Sequence, residues 1–108
     1  MITIDGKEYE LKFTVDRFSL AERSAGVSFL AEANKTSGML QYHVLKTFIG
    51  YGLKVPGEPA FLDVNKGYEQ AEKYIQEVGM MDATIELVNQ LKADLGFLFA
   101  QPTRTMND

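Results

Sequence analysis

The stretch ITIDGKEYELKF constrains this chain more than any other, because an Asp-Gly pair sits between two runs of alternating polarity. A type I′ turn needs positive φ at both central residues, and Asp5-Gly6 therefore predicts a two-residue β-hairpin. The turn sets the register, with Ile4 opposite Lys7 and Ile2 opposite Tyr9. Opposed residues share a face, so Ile2, Ile4, Tyr9, Leu11 and Phe13 make one apolar surface. Thr3, Glu8, Glu10 and Lys12 make the polar one. A lone hairpin is marginal in water, so the rest of the chain must cover its apolar side.

That remainder reads as helices. Thr14 and Asp16 offer N-cap side chains for a helix to about Ser24, with Phe18, Ala21 and Ala25 on one stripe and Leu20 beside it. Gly26 is its stop. Another helical turn or two is expected within 27–33. Ser37, after the break at NKTSG, is expected to cap a long helix from Gly38 to Lys54 carrying Leu40, Val44, Leu45, Phe48, Ile49 and Tyr51. Gly50 and Gly52 weaken its last turn or admit a close neighbour. VPGEP makes a loop, since its prolines lack donors and restrict the residues before them.

Asp63 caps a helix to Val78 with a stripe of Tyr68, Ala71, Ile75 and Val78, stopped by Gly79. Asp82 is expected to cap the last helix, Ala83 to Ala100, which Pro102 ends. Its Ile85, Leu87, Val88, Leu91, Leu95 and Phe97 to Phe99 cover so much of the girth that it must be buried on two sides or meet a partner. The pattern predicts an α+β, mainly helical fold: a two-stranded antiparallel hairpin packed on four or five helices. Residues 1–100 form one domain, hairpin 1–14 and helical body 15–100, and 101–108 a flexible polar tail.

Composition narrows the chemistry. The absence of cysteine removes disulfides, thiolate metal sites and thiol catalysis, and it suits a reducing compartment. His43 is the one histidine, and a structural zinc site needs more than that. No Gly-x-Ser-x-Gly marks an activated serine. GYGLKV lacks the third glycine of a nucleotide loop and follows a helical pattern instead of a strand. Glu8 and Glu10 share the wet face of the hairpin and read as solvated, and no stretch has the alternating acids of a calcium loop. Catalysis, cofactors and metals are therefore not expected.

The net charge of −4 argues against nucleic-acid binding by phosphate neutralisation. No apolar run is long enough to span a membrane, and no signal peptide is evident, so Asn34-Lys35-Thr36 is an incidental glycosylation pattern. Charge is unevenly spread. Between Ala33 and Gly57 the only charges are Lys35, Lys46 and Lys54, whereas seven acids stand against two lysines from Glu58 to Glu86. This describes a solvated acidic face beside a mildly basic one, or an acidic surface that selects a partner.

ITIDGKEYELKFT, followed by Asp16-Arg17-Phe18 entering a short helix, resembles the start of the tail assembly chaperones of tailed phages infecting Gram-positive bacteria. The resemblance runs on through YHVLKTFIGYGLKV and into the aromatic end Phe97-Leu98-Phe99. It implies a chaperone that coats the tape measure protein, keeps it soluble and helps recruit tail tube protein. It also implies action in the host bacterial cytoplasm and absence from the mature virion. A small intracellular adaptor unrelated to phage is the alternative, and an enzyme with an unfamiliar site a further one. Successive helical residues lie about 100° apart, so Phe97, Leu98 and Phe99 cannot all face one core. These three are the candidate partner-binding residues, meeting either the tape measure protein or another copy of the chain as a homo-oligomer.

Overall fold

Asp5 (φ 53°) and Gly6 (φ 76°) turn β1 (Ile2–Ile4) back onto β2 (Lys7–Leu11) in the computed structural model, which describes residues 1–99. The pairs are Ile2 with Tyr9, Thr3 with Glu8 and Ile4 with Lys7, as the turn requires. Ile2, Ile4, Tyr9, Leu11 and Phe13 are all buried, while Glu8 is exposed and Glu10 half-exposed. The sheet has a third strand that the two-stranded expectation lacks. β3 (Leu53–Lys54) pairs antiparallel with β2, Glu10 opposite Lys54 and Leu11 opposite Leu53, giving the order β1-β2-β3. The Lys12 N–H donates to the Gly52 carbonyl at 2.8 Å and continues this pairing.

α1 (Val15–Ala25) starts where Thr14 Oγ1 accepts the Arg17 N–H at 3.1 Å and ends at Gly26, whose φ is 75°. Ser28 caps α2 (Phe29–Lys35). Ser37 does not cap the next helix. Ser37 (φ 57°) and Gly38 (φ 88°) are left-handed, and the Gly38 N–H closes α2 by donating to the Ala33 carbonyl at 2.7 Å. α3 (Tyr42–Gly52) therefore begins later than Gly38, after Gln41, and ends before Lys54 enters β3. α4 (Val64–Val78) is capped by Asp63 as expected.

Gly79, at φ 92°, is the single residue between α4 and α5 (Met80–Asp94). Its N–H donates to the Ile75 carbonyl at 2.8 Å, and its own carbonyl accepts the Ala83 N–H at 3.1 Å. Asp82 is thus not the cap; it lies inside the first turn, where its charge complements the helix dipole. α5 also stops short of Ala100. The Asp94 carboxylate accepts the Phe13 N–H at 2.8 Å and the Gln90 side-chain amide at 3.0 Å, fixing the helix end against the exit of β2. A single 3₁₀ turn, Gly96–Phe99, follows. The expected helix end at Ala100 and Pro102 and the tail 101–108 lie outside the described residues.

α3 is the central element, packed against α1, α4, α5 and β2. Phe48 meets Phe18 and Phe29 with ring centroids 5.5 and 5.2 Å away. Gly50 and Gly67 let α3 and α4 touch through their backbones: a Cβ on Gly50 would lie 3.1 Å from the Gly67 carbonyl carbon, and one on Gly67 would collide with the Gly50 carbonyl oxygen. Of the glycines of GYGLKV, Gly50 thus serves close helix packing, while Gly52 lies against the Leu11 and Phe13 side chains. The contact also turns α4 so that Gly67, Gln70, Ala71, Tyr74 and Ile75 are buried, leaving Tyr68 half-buried and Val78 exposed. Among the described residues no helix is long and apolar enough to cross a membrane.

Candidate partner-binding surfaces

Two surfaces stand out, on different elements. The first begins with Arg17, in the opening turn of α1. Its Nε donates to the Tyr51 carbonyl at 2.6 Å and its Nη2 to the Leu62 carbonyl at 3.4 Å, so one guanidinium ties the last turn of α3 to the loop after β3. Helix ends leave carbonyls without intrahelical partners, and a cation is favoured there. The guanidinium carbon lies 5.0 Å from the Tyr51 ring centroid and 4.5 Å from that of Phe61. Burial lowers the Arg17 pKa from its ordinary value, against a smaller upward effect of Tyr51.

From this clamp a belt of rings and cations runs across α3 and α4. Lys54 Nζ is 5.4 Å from the Phe61 ring. Tyr51 meets Tyr68 edge-on at 6.1 Å, and the Tyr68 hydroxyl hydrogen-bonds Ser24 Oγ at 2.7 Å. Lys46 Nζ lies 5.7 Å from the Tyr68 ring, 5.8 Å from the Tyr42 ring and 3.7 Å from Glu72 Oε2. Desolvation, then the Glu72 charge, raises the Tyr42 pKa. Tyr51, Tyr68, Phe61, Lys46 and Lys54 are all half-exposed. Among the described residues Arg17 and Lys54 have no carboxylate within ion-pair distance.

The second surface is the outer side of α5. Ala83, Leu87 and Leu91 are buried, which leaves Met81 (62% exposed) and Ile85 (52% exposed) facing outward, with Val88 partly covered and Lys92 exposed. Phe97, 64% exposed, stands at the end of this stripe. Leu98 and Phe99 are half-buried against the core, and Lys92 Nζ lies 5.9 Å from the Phe99 ring. The three candidate residues therefore do not share one surface: Phe97 points out and its neighbours point in. The 3₁₀ turn replaces the continuous helix on which the sequence argument rested.

The other residues with possible chemistry are dispersed. His43 is exposed on the first turn of α3. Among the described residues no three His, Cys, Asp or Glu side chains come together to hold a metal ion. Sequence reasoning missed the belt because Arg17, Tyr51, Phe61 and Tyr68 come from four separate stretches. The readable signal was the Tyr42–Lys46 pair, four apart on a helix. Comparison of the chain with protein-family models, with curated proteins and with solved structures gives no match.

Proposed function

We propose that this protein is a non-catalytic tail assembly chaperone of a tailed phage or prophage, acting in the host bacterial cytoplasm and left out of the finished virion. It binds the tape measure protein, keeps it soluble and helps recruit tail tube subunits. The observation that supports this reading is the belt of Arg17, Tyr51, Phe61, Tyr68, Lys46 and Tyr42. Tyr and Arg are the residues that most often carry binding energy at protein interfaces, and rings held in place by neighbouring cations lose little entropy on docking. The belt is cationic on a chain whose net charge is −4, which fits a helical segment of the tape measure protein that presents carboxylates.

The test is co-expression with the tape measure protein of the same phage or prophage, followed by affinity capture. Co-purification is expected, and Lys54→Glu should reduce it about tenfold, since like-charge juxtaposition at an interface costs more than a lost attraction. Failure of the parent to keep the tape measure protein soluble overturns the chaperone reading. Full retention by Lys54→Glu removes the belt as the site.

A further inference from the structure

We propose that the cleft between the hairpin turn and α4 binds one small tetrahedral oxyanion, inorganic phosphate or sulfate. The cleft encloses about 140 Å³, and Asp5, Lys7, Tyr9, Lys66, Gln70 and Lys73 line it. Pockets for whole cofactors and drug-sized molecules start at about 300 Å³, so this one suits a single ionic group.

Three ammonium groups gather here on an acidic chain. Lys7 is opposite Ile4 in the hairpin, so it stands on the face that carries Ile2, Ile4 and Tyr9. Lys66, Gln70 and Lys73 are spaced four and three apart, which puts them on one side of α4. The helix also carries Glu69, Glu72 and Glu77, and none of these lines the cleft. Lys66 sits in the first turn of α4, where a cation adds to the positive end of the helix dipole. Among the described residues Lys7 and Lys66 have no carboxylate within ion-pair distance, and Lys73 has only Asp5, at 3.9 Å. The nearby Glu77 carboxylate accepts the Asp5 N–H at 2.9 Å. A cleft lined mostly by one sign of charge concentrates the opposite ion.

Gln70 supplies the independent observation. Buried amides are hydrogen-bonded almost without exception. Gln70 is 7% exposed, yet its side chain makes no hydrogen bond to another described residue. Its partners are therefore to be met in the cleft, where its NH2 group can donate to an anion oxygen. A tetrahedral oxyanion directs oxygens both to the hairpin wall, with Lys7, and to the helix wall, with Lys66, Gln70 and Lys73. A planar carboxylate serves one wall only. The site shares no residue with the aromatic belt and does not rest on the partner proposed there.

The test is titration of the protein with sodium phosphate at fixed ionic strength, read from the Gln70 side-chain amide and the α4 backbone in heteronuclear NMR spectra. Sulfate and acetate are titrated in parallel. Phosphate and sulfate should give saturable shifts, and acetate should bind more weakly. Lys66→Gln should weaken phosphate about tenfold, the loss of one hydrogen bond to a charged group. Gln70→Leu should weaken it similarly. Asp5→Asn keeps a residue type that accepts the left-handed turn and removes the one carboxylate in the lining, so it should tighten phosphate about threefold. Lys66 and Asp5 are exposed, so these two variants decide even if Gln70→Leu unfolds. No saturable response to phosphate overturns the proposal, as does parent-like affinity in both surface variants. Acetate binding as tightly as phosphate overturns the tetrahedral assignment.

Discussion

α3 and α5 look alike in the sequence, each apolar around much of its girth, yet the fold treats them differently. α3 buries Val44, Leu45, Thr47, Phe48, Ile49, Gly50 and Gly52, because it runs between α1 and α4 with β2 and α5 also against it. α5 lies on the outside and buries only Ala83, Leu87 and Leu91. The contrast teaches that apolar girth records how many neighbours a helix has without saying where they come from. For α3 the neighbours are all in one chain. For α5 the sequence supplies more apolar surface than the fold covers.

The largest expected effect sets one residue of each helix against the other. Phe48→Ala should cost about 3–5 kcal/mol, the range for a buried ring whose site cannot collapse. Ile85→Ala, in dilute monomeric protein, should stay within about 0.5 kcal/mol of the parent, as surface changes do. Urea unfolding of both variants checks this. Equal losses would mean that α5 is covered in the monomer and that the contrast is false.

A smaller effect is expected where α3 gains its tightest neighbour. Gly67→Ala should lower stability by about 1–3 kcal/mol, the overpacking against the Gly50 backbone outweighing a helix-propensity gain of at most ~1 kcal/mol. Gly96→Ala, with open space around its Cβ position, should leave the thermal midpoint nearly unchanged. A stabilised Gly67→Ala variant would show that the helices can part at no cost.

The smallest effect sharpens how the inner side of α5 is held. Tyr74 on α4 has its pKa pushed up to about 12, first by burial and then by the charges of Glu86 and Asp82. An unfolded tyrosine titrates near ~10. Because the folded value is the higher one, this contribution to stability is complete below pH ~10 and is lost as pH rises through about 12. Tyr74→Phe should therefore unfold less steeply with rising pH than the parent across that window, measured as urea midpoints. Parallel pH profiles would show that Tyr74 is solvated and that α5 sits looser than drawn.

What could be read from the residues was whatever local chemistry decides. Asp5-Gly6 carries the hairpin register, and Thr14, Asp63, Gly26 and Gly79 carry helix ends, since a cap or a left-handed residue acts within a few positions. β3 was out of reach: two residues have no period, and their pairing with β2 depends on Gly52 passing close to Leu11 and Phe13. Ser37 misled because the same residue types that open helices also close them when φ is positive. The end of α5 escaped for a related reason. Asp94 stops it through a bond to Phe13, 81 positions away in the chain, which no window on 83–100 can contain. Of the three aromatic-end residues Phe97 is exposed, but on a 3₁₀ turn in place of the α-helix from which the argument was made.

The sheet has short edges. β1 is an edge of three residues, of which only the Thr3 side chain is exposed, and the other edge is only Leu53–Lys54, already bridged to Phe61 and closed by the Leu62 N–H donating to the Leu53 carbonyl at 3.0 Å. So few unpaired backbone groups cannot template a further strand, which is how natural sheets avoid joining edge to edge. Growth by backbone pairing at the described strands is thereby disfavoured. An assembly made through the described strands is then expected to rest on side-chain contacts more than on backbone pairing.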